Sequence, residues 1–147
     1  MTVNKEAVLI VDNVASRKNT LVTKLRMIGF QAEAVSSGFH AINLIENSTS
    51  AGKRYCAVII TPNNEDMSGE EVLMLSRNIN ASKTSLPIFF MSTDRDPENI
   101  LEVIKMGAND YLFEDASSQD IFLKFSKYLP SLQQKKEKKS DSTKNPK

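Results

Sequence analysis

The chain lacks the residues that several kinds of protein site require. Its 147 residues include one cysteine and one histidine. One cysteine excludes an internal disulfide framework and a zinc site of three or four cysteines, and one histidine excludes metal sites built from two or three imidazoles. No apolar run approaches the roughly 20 residues of a membrane span. The N-terminal apolar run is interrupted at Asp12, too early for a signal peptide, so we expect a cytoplasmic protein without membrane contact.

A large excess of charge of one sign is also missing. Nineteen basic and 18 acidic residues leave a formal net charge of +1, which excludes a large basic field for nucleic acid over the whole chain. The segment from Lys135 to Lys147 nevertheless holds six lysines and two acidic residues. No large apolar residue follows Leu132. We therefore predict one domain over residues 1–130 and a disordered, solvated, lysine-rich tail over 131–147.

Within the domain, apolar runs alternate with amphipathic stretches. The wholly apolar runs Ala7–Val11 and Cys56–Ile60 are typical of buried parallel strands. Gln31–Val35 alternates polar and apolar residues, which is typical of an edge strand. Two more strands are predicted at Pro87–Met91 and Tyr111–Phe113.

Residues with helical spacing predict five helices, one after each strand. The apolar faces of the five are marked by Val14, Leu21, Leu25 and Ile28; by Phe39, Ile42 and Ile45; by Val72, Leu75 and Ile79; by Ile100, Leu101 and Ile104; and by Ile121, Phe122, Phe125 and Leu129. Asp96 followed by Pro97 is typical of a helix start. Gly29, Gly107 and Pro130 are expected to end the first, fourth and fifth helices.

Five strand–helix units predict an α/β fold, a parallel sheet with helices on both faces. Placing the most apolar strands at the centre favours a flavodoxin-like five-stranded sheet of order 2-1-3-4-5. In such a sheet the ligand crevice lies at the carboxyl ends of the strands. The polar residues expected there are Asp12, Asn13, Thr61, Ser92 and Glu114.

The stretch from about Ala7 to Leu129 resembles the receiver domain of bacterial two-component response regulators. The resemblance rests on the segments VLIVDN, VIITPNNEDMSG, PIFFMST and MGANDYL. It implies phosphorelay signal transduction, with a phosphorylated aspartate after the third strand. It also implies Mg²⁺ held by two adjacent acids after the first strand. A lysine after the fifth strand would hold the phosphoryl group.

The chain departs from that pattern at three positions. Thr61 stands where the aspartate is expected, Asn13 replaces one of the paired acids, and Glu114 replaces the lysine. Threonine is a neutral alcohol that needs a base, and Mg²⁺ loses two anionic ligands. A phosphoryl group about 4 Å from Glu114 would be repelled by roughly 4 kcal/mol. We therefore predict a pseudo-receiver that is not an enzyme and has no metal or cofactor site.

The resemblance also implies a docking face on the fourth helix, fifth strand and fifth helix. Its residues would be Glu102, Lys105, Tyr111, Phe113, Gln119 and Lys124. We expect a signalling protein, a kinase or a downstream effector, to dock there, and the chain to be a monomer or weak homodimer. Ser92 and Tyr111 stand where a receiver switches, although an ordinary helix-start hydroxyl and a tyrosine with its hydroxyl in water explain them equally well.

Other interpretations stay open. A phosphorelay regulator modified at a non-standard site would need a nearby carboxylate, and Asp66 lies five residues beyond Thr61. A nucleotide or flavin binder would want a glycine-rich phosphate loop, whereas NVASRKNT has two hydroxyls and no glycine. An aspartate phosphatase would want a second aspartate at the position of Val14.

Two site residues also have alternative explanations. Thr61 or Ser92 could be a kinase target, although a β-branched residue ending a buried strand favours a structural Thr61. Asp12 and Glu114 could form a coupled acid pair. We favour a remnant acid at Asp12, bonded to loop amides, and a solvated rim acid at Glu114.

Overall fold

The computed structural model describes residues 6–50, 55–129 and Leu132, excluding the side chains of residues 49 and 50. Strands and helices alternate along the chain. In order they are β1 (Ala7–Val11), α1 (Ala15–Met27), β2 (Gln31–Val35), α2 (Gly38–Ser50), β3 (Tyr55–Ile60), α3 (Gly69–Ile79), β4 (Ile88–Ser92), α4 (Pro97–Met106), β5 (Asp110–Phe113) and α5 (Ser118–Tyr128). The predicted elements are thus confirmed, with bounds that shift by a few residues.

The strands form one parallel sheet of order β2-β1-β3-β4-β5, which confirms the predicted topology. β3 is buried along its whole length, whereas β2 at the edge keeps partly exposed residues. The difference follows from composition, because a central strand is covered on both faces and an edge strand is not.

The sheet separates two apolar layers. One layer packs α2, α3 and α4 on the face that includes Leu9, Val58 and Phe90. The other packs α1 and α5 on the face that includes Ile10 and Phe89. Alternate residues of each strand face opposite layers, so the wholly apolar strands supply both cores.

Local signals begin and end the helices as predicted. The Asp96 side chain accepts a hydrogen bond from the Glu98 amide, and Pro97 occupies the first helical turn. Gly29 and Gly107 follow α1 and α4 with φ of 96° and 126°, a left-handed region that glycine adopts without strain. Pro130 and the predicted tail, apart from Leu132, lie outside the described residues.

Val14, expected on the first apolar helix face, is exposed and precedes α1 as its N-cap. Within the helices, three residues expected on apolar faces are also exposed: Phe39, Leu75 and Leu101. Each lies two positions from a buried residue of its helix, namely Ala41, Leu73 and Val103 respectively. Two positions are about 200° around an α-helix. The buried residue faces the sheet, so its apolar neighbour points away.

Among the described residues, none of the helices has the length and apolar character needed to cross a membrane.

Candidate functional site

The predicted strand-end residues do meet at one edge of the sheet. Asp12 follows β1, Thr61 follows β3, and Glu114 follows β5, while Ser92 is the last residue of β4. A backbone hydrogen bond joins the loops after β1 and β3, in which the Asn13 amide donates to the Asn63 carbonyl at 2.8 Å. We call the group formed by Asp12, Thr61, Glu114 and their contacts the strand-end pocket.

Asp12 is the buried acid of this pocket, with none of its surface exposed. Its Oδ1 accepts from the Val14 amide at 3.1 Å, as the prediction of a bond to loop amides required. Both carboxylate oxygens also accept hydrogen bonds from one guanidinium group. Arg17 Nη2 donates to Oδ1 at 2.8 Å, and Arg17 Nε donates to Oδ2. A buried carboxylate is stable only when paired in this way.

Arg17 lies in the first turn of α1 and bridges two loops of the pocket. Besides Asp12, it donates through Nη1 to Glu114 Oε2 and through Nη2 to Asn63 Oδ1 at 3.3 Å. The hydrogen bonds that Arg17 donates to Asp12 are the main reason that the pKa of Arg17 is raised above its usual value, while burial acts in the opposite direction. The guanidinium therefore neutralises charge in the middle of the pocket.

The structure corrects the interpretation of Glu114 as a rim acid in solvent. Its side chain is 33% exposed, but it forms an ion pair with Arg17. The sequence prediction missed Arg17. The sequence did contain a signal for Arg17. A glutamate at position 114, where the family resemblance implies a lysine, needs a cation as its partner, and Arg17 lies five residues after Asp12.

Thr61 is 1% exposed, and its hydroxyl is used within the sheet. Thr61 Oγ1 donates to the Val11 carbonyl at 3.0 Å, and the Thr61 amide donates to the same oxygen at 3.1 Å. Gly69 closes the other side, since a Cβ added there would lie 2.3 Å from the Thr61 carbonyl oxygen. Thr61 is thus held from two directions.

Ser92 and Tyr111 both bond to Asp94 and hold the loop after β4. Ser92 Oγ accepts from the Asp94 amide at 3.1 Å, and the Tyr111 hydroxyl donates to the Asp94 carbonyl at 2.8 Å. Burial raises the pKa of Tyr111. Its hydroxyl is therefore engaged with the protein, which corrects the alternative of a hydroxyl in water.

Asp66, the alternative acceptor, serves a different local role. Its carboxylate accepts from Ser37 Oγ and from the amides of Gly38 and Phe39, at 2.7, 2.7 and 3.1 Å. These hydrogen bonds, led by that from Ser37, lower the pKa of Asp66. The carboxylate therefore caps the start of α2.

The predicted docking face has exposed and buried members. Glu102, Lys105 and Gln119 are exposed, and Phe113 and Lys124 are half-buried. Tyr111 is only 6% exposed, because its ring packs between Phe90 and Phe113. A shallow cavity of about 260 Å³ lies between β5 and α5 on this face. Its lining includes Tyr111, Phe113, Leu123 and Lys124.

One further residue of that face was not predicted. The Arg95 guanidinium lies 4.0 Å above the centre of the Phe113 ring and also pairs with Asp115 at 3.3 Å. Both contacts are near the surface, so they order the loop before α4 without contributing much stability.

The sheet order and the strand-end pocket define a receiver-like α/β domain. The family model of the response regulator receiver domain matches residues 8–125. The chain therefore belongs to the response regulator receiver domain family, whose setting is two-component signalling and whose members interact with kinases or effectors.

Known proteins agree with this assignment. The two-component response regulator ORR11 of Oryza sativa subsp. indica is 28% identical over 124 residues, which are 84% of this chain and 80% of that protein. A CheY-like receiver domain protein from Methanospirillum hungatei JF-1 has a TM-score of 0.73 at 17% identity, covering 90% of this chain and 99% of that one.

A third comparison concerns a domain solved with a metal ion. The receiver domain of sensor histidine kinase PA1611 from Pseudomonas aeruginosa PAO1, with a magnesium ion coordinated in its active site cleft, has a TM-score of 0.72 at 17% identity. The match covers 85% of this chain and 98% of that domain. In the part of this chain that is described, no three His, Cys, Asp or Glu side chains lie together as metal ligands.

Proposed function

We propose that this receiver domain signals by binding partner proteins and without phosphorylation of an aspartate. The observation that supports the proposal best is the position of Arg17, which bonds to both Asp12 and Glu114. Its guanidinium supplies, from within the chain, the positive charge that acidic pocket residues would otherwise draw from a metal ion. The pocket is then complete as an internal ion-pair network.

The properties of Thr61 support the same conclusion. A carboxylate can attack phosphorus as an anion, whereas an alcohol needs a base in contact with it. The Thr61 hydroxyl donates to the Val11 carbonyl, which cannot accept its proton as a base. Both oxygens of Asp12 are engaged by Arg17, so the nearest buried acid is committed elsewhere.

The residues present do not fit Mg²⁺. The ion prefers six oxygen ligands in octahedral geometry, usually with one or two carboxylates. Asn13 and Thr61 are neutral, and Asp12 is shared with a guanidinium that is fixed by several hydrogen bonds. A magnesium ion at Asp12 would have to displace Arg17 or lie beside its positive charge.

Glu114 extends the argument to the phosphoryl group. It places an anion at the pocket where the family resemblance implies a lysine, and Arg17 neutralises it. A phosphoryl dianion entering the pocket would compete with Asp12 and Glu114 for one guanidinium. That competition disfavours phosphate in the native arrangement.

We further propose that α4, β5 and α5 form the docking face for a kinase or an effector. The exposed side chains of Glu102, Lys105 and Gln119 provide polar contacts. The cavity between β5 and α5 provides an apolar recess beside Lys124. Tyr111 and Phe113 support that recess from the sheet side, so we assign them mainly a shaping role. A cytoplasmic, bacterial setting stays a prediction of the sequence.

The chemistry is tested by nuclear magnetic resonance of ¹⁵N-labelled protein with Mg²⁺ and beryllofluoride, followed by intact mass after treatment with acetyl phosphate. We expect no shifts around Asp12 and no added phosphate. Adding Arg17→Ala to the double variant Asn13→Asp, Thr61→Asp should strengthen Mg²⁺ binding further, because the competing guanidinium is gone. A phosphate mapped to Thr61, Ser92 or Asp66 in the wild type would overturn the proposal in favour of a non-standard acceptor.

Docking is tested with partners captured from a lysate of the source organism and identified by mass spectrometry. Lys105→Glu should weaken a captured kinase or effector complex, and Thr61→Ala should not. Lys83→Glu makes the same charge change in the loop between α3 and β4 and serves as the control. If Thr61→Ala abolishes the complex while Lys105→Glu leaves it intact, the signal runs through the pocket and this proposal fails.

A further inference from the structure

A groove of about 610 Å³ crosses the outer face of α3, away from the strand-end pocket. Its lining is mainly apolar and comes from three helices and the loop before α3. Its lining includes Phe39, Met67, Glu71, Met74, Leu75 and Met106. We call it the α3 groove.

The α3 groove gathers apolar surface that the fold leaves uncovered. Phe39, Met74 and Leu75 are 62%, 48% and 38% exposed. The other strongly exposed large apolar residues of the described chain are scattered over α1, α4 and α5. Contiguous apolar surface of this kind marks binding sites, whereas single exposed residues do not.

Hydrogen bonds hold the walls of the groove in place. On one side, Asp66 caps α2 through the amides of Gly38 and Phe39 and so fixes the base of the Phe39 side chain. On the other, Arg77 donates to the carbonyls of Gly107 and Leu86 at 2.7 and 2.8 Å, which ties α3 to the loops around α4 and β4. A groove formed before binding avoids the entropy cost of ordering its walls.

The lining itself is adaptable. Three methionines, Met67, Met74 and Met106, contribute to it. Methionine is unbranched and polarisable, and it fits irregular apolar partners better than a branched side chain does. Fixed walls with an adaptable lining are suited to an inserted helix whose side chains vary in shape.

The charge around the groove indicates the chemistry of its partner. Residues 63–76 contain four acids and no lysine or arginine. The acids are Glu65, Asp66, Glu70 and Glu71, of which Asp66 and Glu71 line the groove. Arg77 lines the far end, but its guanidinium is turned to the carbonyls described above. The complementary ligand has an apolar stripe flanked by Lys or Arg.

We propose that the α3 groove is a second docking surface, which binds a basic amphipathic helix of a partner protein. The lysine-rich segment of this chain from Lys135 onward does not match, because it offers charge without large apolar side chains. The proposal is independent of the docking face on α4, β5 and α5.

The test uses fluorescein-labelled peptides about five helical turns long. One is an amphipathic sequence of leucine and lysine, the second has glutamate in place of every lysine, and the third has the leucine and lysine positions scrambled. Fluorescence anisotropy should show saturable binding of the first peptide that weakens as salt is added. The other two should bind at least about tenfold more weakly.

Variants locate the binding site. Leu75→Lys should weaken the leucine–lysine peptide about tenfold or more, and Leu123→Lys should not. Leu123 is a matched control because it is 53% exposed on α5, outside the groove. Glu71→Gln should weaken binding and reduce its salt dependence, while glutamine keeps the capping box with Ser68. Circular dichroism confirms that each variant is folded.

Three outcomes would overturn the proposal. The first is equal loss of binding in Leu75→Lys and Leu123→Lys, which would place the peptide elsewhere. The second is equal binding of the glutamate peptide, which would remove the role of the acids. The third is a dimer of the wild type in sedimentation that Leu75→Lys dissociates, because the groove would then be an interface between two copies of this chain.

Discussion

The strand-end pocket and the α3 groove differ in what their side chains leave unsatisfied. In the pocket, the buried carboxylate of Asp12 is paired by Arg17, and the Thr61 hydroxyl is bonded to β1. In the groove, Phe39, Met74 and Leu75 keep much of their apolar surface in water. The first region has few polar groups to offer a ligand, whereas the second gains free energy when a partner covers it.

The binding capacity that we propose therefore does not coincide with the sequence resemblance. Receiver family motifs are densest around the pocket, where the ion pairs of this chain are already internal. The groove takes only Asp66, Met67 and Met106 from the motif segments, yet its composition is the one expected of an interface. Substitutions should therefore affect stability in the pocket and binding in the groove, which the following predictions test.

The largest effect is expected for Arg17→Ala. Removing the guanidinium leaves Asp12 as an unpaired buried charge, and breaking a buried pair in this way costs about 3 kcal/mol of unfolding free energy. Urea denaturation followed by circular dichroism measures the loss. Arg26→Ala, an exposed arginine at the other end of α1, is the control and should change stability far less.

A second substitution shows whether charge is the cause. Asp12→Asn in the Arg17→Ala background should recover most of the lost stability, because the buried group is then neutral. If Arg17→Ala is as stable as the wild type, the ion pair between Arg17 and Asp12 does not stabilise the folded protein. The pocket and the groove would then not differ in their effect on stability.

Gly69→Ala should destabilise the protein by about 2 kcal/mol through overpacking. The new Cβ would lie 2.3 Å from the Thr61 carbonyl and 3.0 Å from the Phe90 ring, so backbone has to move. The midpoint of thermal unfolding is the measurement, with Glu70→Ala in the same turn for reference. An unchanged midpoint would mean that the loop after β3 moves to accommodate the new methyl group at little cost in free energy.

Protonation of Asp110 in acid should lower the free energy of unfolding by about 1 kcal/mol, a smaller effect than that of Gly69→Ala. Burial raises the pKa of Asp110, but hydrogen bonds from the Tyr111 amide, Lys124 and Tyr128 outweigh it, and the net pKa is lowered from 3.8. Because the unfolded chain then takes up the proton first as the pH falls, this stabilisation is present above about pH 4 and is lost below it.

Denaturation at a series of pH values tests the role of Asp110. Asp110→Asn should be less stable near neutral pH and should flatten the loss of stability in acid. Asp115→Asn should lower stability less near neutral pH, since the Asp115 side chain is 79% exposed and solvent screens its pair with Arg95. If the free energy of unfolding depends on pH equally in the wild type and in Asp110→Asn, Asp110 does not contribute to the loss of stability in acid.

The smallest effect on stability is expected in the groove. Phe39→Gln should change the free energy of unfolding by less than about 0.5 kcal/mol, because 62% of this residue is already exposed to water. Urea denaturation beside Arg17→Ala makes the comparison direct. A loss as large as that of Arg17→Ala would show that Phe39 belongs to the core and that the groove is not an open surface.

Much of the fold could be predicted from the sequence, because its signals are local. Four apolar runs, an alternating edge strand and helix signals such as Asp96–Pro97 lead to the observed order of strands. Parallel strands bring their carboxyl ends to one edge, so the positions of Asp12, Thr61 and Glu114 followed as well. These properties depend on residues that are neighbours along the chain.

The contacts that form the pocket and the groove depend on residues far apart in the sequence. Arg17 and Glu114 are 97 positions apart, and only the order and register of the strands bring α1 and the end of β5 together. The α3 groove likewise joins Phe39 on α2, Met74 on α3 and Met106 at the end of α4. Periodicity alone placed Phe39 and Leu75 in the core, because a helical pattern shows which residues are apolar but not which of them the sheet has room to cover.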